Sequence, residues 1–106
     1  MFTYEDLHKL IDEDCLGRGH LIDYAGNTCV VGQMFIMAGI RRESLHKTVV
    51  FTKKDIDIFL ASWPFMAICR AVRLAKENDA HSEIAERRKA LHGLVKTFEK
   101  EDLNGL

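Results

Sequence analysis

The chain has 106 residues, of which 47% are hydrophobic, so it is the size of one ordinary domain and can build a core without disulfides or a structural metal. Fifteen basic residues against sixteen acidic ones leave a formal charge of -1, which speaks against a dedicated DNA-binding domain, where a positive excess is the rule. Cys15, Cys29 and Cys69 are an odd set without a C-x-x-C pair, a pattern suited to reduced thiols in the cytoplasm rather than to a disulfide framework.

Thr3 followed three residues later by Asp6 reads as a helix start of the capping-box type. Tyr4, Leu7, Leu10 and Ile11 then recur at helical spacing, which predicts a first amphipathic helix over 4–14, closed by Gly17 and Gly19. In the following loop Arg18 stands between those glycines and is a candidate anion contact, weighed against a plain C-cap glycine beside a solvated arginine. Gly26-Asn27 offers a tight turn that would join 20–24 and 28–31 as a hairpin, and 48–51 is an extended segment that could pair with 21–24 instead, giving a small two-stranded β element over 20–24 and 48–51.

The tract Thr28 to Ile40 is apolar on every face, with Gln33 its one large polar residue past Thr28. It is too short to span a bilayer, which takes roughly 20 apolar residues, and therefore belongs in the middle of a core. A helix over about 28–39 is expected, with Gly39 at its C′ position; a strand at 28–31 is the rival reading. Thr52 and Asp55 repeat the helix-start signal, and Ile56, Phe59, Leu60 and Trp63 follow at helical spacing until Pro64 ends the run. Pro64 is expected as the first residue of a fourth helix, with Phe65, Ile68, Cys69 and Val72 as its apolar stripe and Arg70, Arg73, Lys76 and Glu77 on its wet side. Asn78-Asp79 should break it. A last helix, capped by Asp79 or Ser82 and running to about Glu101, carries Ile84, Leu91, Leu94, Val95 and Phe98 in one stripe, with 103–106 as a frayed tail.

Chemistry-bearing residues are few. Cys29 at the start of a helix would sit at the positive end of the dipole, which favours thiolate and makes a thiol enzyme with His20, Asp23 or His46 conceivable; a small buried hydrophobe is the bland alternative. The five histidines form no metal-ligand spacing, His8 and His92 read as edges of amphipathic helices, and no cofactor motif is present. Arg70 and Arg73, with Lys53-Lys54 nearby, would face DNA if helices over 53–63 and 64–78 made a helix-turn-helix, though the Trp63-Pro64 joint is tight for that motif. Trp63, Phe65 and Met66 at that joint, and Leu91, Val95 and Phe98 on the last helix, are candidates for a protein-binding patch, with the core as the competing use.

The segment Gly26-Asn27-Thr28-Cys29-Val30-Val31-Gly32-Gln33-Met34, ending at Ala38-Gly39-Ile40, resembles a stretch of small uncharacterised bacterial and phage proteins, in which a glycine turn leads to C-x-x-G and an apolar helix. The resemblance implies the helix reading at Cys29 and a phage or mobile-element origin, and no activity. The expectation from the whole sequence is a mainly α single domain over 1–106, about five helices around a buried central one. It is expected to act without a cofactor in the cytoplasm, as an inhibitor or regulator binding another protein or a second copy of itself. A nucleic-acid-binding regulator and a thiol enzyme centred on Cys29 are the alternatives.

Overall fold

The computed structural model describes residues 1–13, 29–40 and 52–105. Among them the chain forms five helices and no strand: α1 Tyr4–Ile11, α2 Val30–Met37, α3 Lys53–Ser62, α4 Ile68–Ala80 and α5 Ile84–Asn104. The mainly α architecture is as the periodicity predicts. The expected β element at 20–24 and 48–51 and the Arg18 loop lie outside the described residues.

Two helix starts follow from their capping boxes. Thr3 Oγ1 accepts from the Asp6 N–H while the Asp6 carboxylate accepts from the Thr3 N–H at 2.8 Å. Thr52 and Asp55 repeat the arrangement at α3. Each box satisfies two of the donors that a helix start leaves unpaired.

α2 is the most deeply seated helix, with Val30, Val31, Gly32, Met34 and Phe35 all buried. Its start differs from the other two. Cys29 is the N-cap, its Sγ accepting from the Gly32 N–H at 3.4 Å, and the Val30 N–H reaches across to Asn78 Oδ1 on α4 at 3.2 Å. Its end is a Schellman motif: Gly39 takes φ +91°, the Ile40 N–H returns to the Phe35 carbonyl at 3.1 Å, and the Gly39 N–H returns to that of Ile36 at 3.0 Å. Glycine at the left-handed position avoids a Cβ clash there. Buried Ile40 then lies over the last turn.

α2 packs on α1 and on α4, and both of these pack on α5, so four helices close a ring around one core. Leu7, Ile11, Val30, Met34, Leu74, Leu91, Val95 and Phe98 line it. α3 reaches that core at two points. Phe59 stacks on Phe35 with centroids 4.3 Å apart, and Trp63 is fully buried, its Nε1–H donating to the Met34 carbonyl at 3.0 Å.

Four boundaries depart from the sequence expectation. α1 stops at Ile11, three residues early. Pro64 does not open a helix: the Met66 N–H bonds back to the Trp63 carbonyl at 2.9 Å, so Pro64 is the second residue of a β-turn and α4 starts at Ile68. Its fixed φ suits that corner as well as it suits a first helical turn. Asn78-Asp79 does not break α4, because Asn78 is fully buried and its amide is occupied by Val30 and Asp79. α5 in turn runs past Glu101 to Asn104, so residues 103 and 104 continue the helix.

Candidate functional site

The apolar pattern of α4 is what the structure rearranges most. Its buried side is Ala71, Leu74 and Asn78, not the stripe of Ile68, Cys69 and Val72. Those three face outward, with Ile68 46% and Val72 47% exposed. The helix turns this way because Arg70 is drawn to the other side. Its guanidinium forks onto Asp102 of α5 (Nη2 to Oδ1, 2.8 Å; Nη1 to Oδ2, 3.2 Å), with Glu101 3.3 Å from Nη2. Nη1 also donates to the Phe65 carbonyl at 2.8 Å, and the group lies 4.8 Å from the Phe98 ring centre. A forked arginine–carboxylate pair over an aromatic face is a geometrically selective contact. Satisfying it sets the roll of α4 and leaves Ile68, Cys69 and Val72 in water. Arg73 and Lys76, both exposed, share that outer side one turn further on, although Arg73 also lies over Phe98 at 5.0 Å.

The same hub holds α1. The Tyr4 hydroxyl donates to the Asp102 carboxylate and accepts from Arg70, and its ring stacks on Phe65 with centroids 3.9 Å apart. Burial, reinforced by the bond to Asp102, pushes the Tyr4 phenol up to about 12. The forked bond from Arg70, helped by the Tyr4 hydroxyl, holds the Asp102 carboxyl below its ordinary range.

Of the residues expected to form a docking patch, Trp63, Met66, Leu91, Val95 and Phe98 lie inside the fold and Phe65 is half-buried between Tyr4 and Trp63. In the folded chain they are core, which corrects their reading as a protein-binding surface. They belong to the same buried apolar cluster as Leu7, Ile11, Met34 and Leu74. Cys29 takes the buried alternative rather than that of a reactive thiol. It does sit at a helix start, but burial pushes its thiol up and outweighs the Gly32 and Val31 N–H groups that would lower it. Burial thus opposes the thiolate form that a nucleophilic cysteine needs. His20, Asp23 and His46 lie outside the described residues.

A polar row between α1 and α5 escaped the sequence reading. His8 Nε2 lies 2.7 Å from Glu99 Oε1, His8 Nδ1 lies 2.8 Å from His92 Nδ1, and His92 Nε2 lies 2.7 Å from Asp12 Oδ1. The ring centres are 5.0 Å apart and the planes differ by 18°, a separation of one Nδ1···Nδ1 contact plus a ring radius at each end. The imidazoles thus meet edge to edge rather than face to face. Every ring nitrogen is engaged, so none faces a substrate. An in-line metal would need the two nitrogens about 4 Å apart, twice a Zn–N length of about 2.0 Å, and here they are 2.8 Å apart. Among the described residues no group of three or more His, Cys, Asp or Glu side chains is placed to hold a metal ion.

No family model, curated protein or solved structure matches this chain. Among the described residues no helix is long and apolar enough to cross a membrane.

Proposed function

We propose that the chain is a protein-binding module, an inhibitor or regulator acting in the cytoplasm, and that the outer side of α4 is its contact surface. The observation that carries this is the exposure of Ile68 and Val72 on a helix whose opposite side already packs on α2 and α5. Two adjacent β-branched side chains one turn apart, bordered by Arg73 and Lys76, suit a partner segment that offers apolar side chains flanked by carboxylates. A nucleic-acid surface through Arg70 is less supported, since that guanidinium is committed to Asp102 and Glu101 and a phosphate would have to displace both. Cys29, buried and with its thiol pushed up by that burial, likewise gives little support to a thiol enzyme.

The test is a quantitative pull-down from the native host with the wild-type chain, the double variant Ile68→Glu/Val72→Glu, and Lys89→Glu as an exposed control on α5. The reading requires a captured protein whose recovery falls at least tenfold with the double variant and is unchanged with the control. The urea midpoints of all three must stay alike, because substitutions at exposed positions usually shift stability by no more than about 0.5 kcal/mol. Equal recovery with the double variant would sink the proposal. Light scattering on the purified chain distinguishes the other occupant, a second copy: a dimer that the double variant dissolves assigns the α4 surface to self-association.

A further inference from the structure

We infer that the row Asp12–His92–His8–Glu99 is a one-proton latch, which joins α1 to α5 fully only while the two histidines together carry a single positive charge. The inference follows from counting hydrogens. Three contacts lie in line, each at hydrogen-bond length, and each needs one hydrogen. The ionised carboxylates at the two ends can only accept, so both Nε2 atoms must donate. The central Nδ1···Nδ1 contact then needs one more hydrogen, held by one ring and accepted by the other. Two imidazoles therefore hold three ring protons, one more than two neutral rings carry and one fewer than two imidazoliums. With two protons, either the Nδ1 lone pairs face each other or a carboxylate loses its donor. With four, two N–H groups point at each other across 2.8 Å.

The surroundings suit this intermediate charge. Asp12, the C-cap of α1, and Glu99 from α5 face the rings directly, so the row as a whole carries one net negative charge. Elsewhere on α1, Lys9 is paired with Glu5 at 3.6 Å on the outside. On α5, Arg88 and Lys96 stand one turn either side of His92, and Arg88 Nη2 donates to the Glu13 carbonyl at 2.8 Å. α2, packed on α1, has no ionisable residue within Val30–Met37, and from α4 the cations Arg70 and Arg73 are engaged with Asp102, Glu101 and Phe98. The rings are a quarter exposed, so protons exchange with solvent without the fold opening.

The pH dependence has a definite sign. Stability changes with pH according to the protons bound by the unfolded minus the folded chain. Below the ordinary histidine value of about 6.5 the unfolded pair binds two protons and the folded pair one, so stability rises with pH. Above it the unfolded pair binds none and the folded pair still one, so stability falls. The row contributes a maximum near neutrality, with an unfolding constant that changes by up to about tenfold per pH unit on each limb.

Urea unfolding of the whole chain between pH 5 and 8, in buffer with EDTA, tests this against the double variant His8→Gln/His92→Gln, whose curve removes the background of all other groups. The difference between the curves should peak near pH 6.5 and fall on both sides. A difference that is flat, or that falls in one direction only, would overturn the latch. Ring ¹⁵N chemical shifts of the wild-type chain give a readout free of any variant. One protonated and one neutral imidazole in exchange across the neutral range support the latch, and two rings that titrate independently in one ordinary step each refute it. Asp12→Asn and Glu99→Gln, which keep the side-chain shapes, should each weaken the alkaline limb, because a neutral end no longer favours the extra proton.

Discussion

α5 is held to the rest of the molecule by two polar joints built on different chemistry. Near its C-terminus Asp102 and Glu101 receive Arg70, and Asp102 also takes the Tyr4 hydroxyl. Within the three turns before Asp102, His92 and Glu99 meet Asp12 and His8. An arginine keeps its charge at any pH a protein meets, so the first joint depends on its carboxylate alone. The second is built on imidazoles, the side chain whose ordinary pKa lies in the physiological range. Both joints tie the same pair of helices, α1 and α5, yet only one rests on a cation of fixed charge. The permanent joint also sets the roll of α4, whereas the titratable one joins only α1 to α5.

The largest effect should come from breaking the permanent joint. Arg70→Ala removes the forked pair, the donor to Phe65 and the contact with Phe98, and should cost about 2–3 kcal/mol in urea unfolding. It should also turn α4, which protection of the Val72 and Leu74 side chains from a carbene footprint would show. If the loss is under about 0.5 kcal/mol, the joint is an ordinary surface pair and the comparison fails.

Asp102→Asn sharpens the contrast on the acid side. The folded carboxyl lies below its unfolded value of about 3.9, so its contribution is present above that pH and is lost as pH falls through the folded value. The variant should be less stable than wild type at pH 7 and converge with it toward pH 2, well below the limbs expected of the histidine row. Curves that stay parallel down to pH 2 would mean Asp102 is not shifted.

The smallest effect should be Tyr4→Phe, which deletes one hydroxyl and about 1 kcal/mol. In the wild type the phenol is raised from 10 to about 12, so its contribution is whole below pH 10 and disappears as pH climbs through about 12. Absorbance at 295 nm should show a late tyrosine ionisation near pH 12, and that late step should be missing in the variant. Tyr4 ionising near pH 10 would sever it from the joint.

How far this was legible in the sequence depends on distance along the chain. Thr3 with Asp6 and Thr52 with Asp55 are local devices, and both helix starts fall where the spacing puts them. Gly39 is equally local and sits at the left-handed position expected of it. The outward roll of α4 was not legible. Ile68, Cys69 and Val72 look like a core stripe by hydrophobicity, and Ala71 and Asn78 do not, because nothing nearby announces that Asp102, 32 residues on, fixes Arg70. The histidine row is read correctly only as two helix edges. His8–Asp12 at i,i+4 on α1 was the available hint, but each histidine bonds the carboxylate of the other helix, 80 and 91 residues away.

The Val30 N–H bonded to Asn78 Oδ1 bears on the order in which the chain assembles. An eight-residue helix is marginal by itself in water, and here one donor of its opening turn waits for an amide 48 positions downstream. α2 is thus expected to condense after α4 has docked, so that the innermost segment is among the last to become native. Asn78→Ala should then accelerate unfolding while leaving the refolding rate nearly unchanged, and a stopped-flow chevron with a slowed refolding arm would reverse that sequence of events.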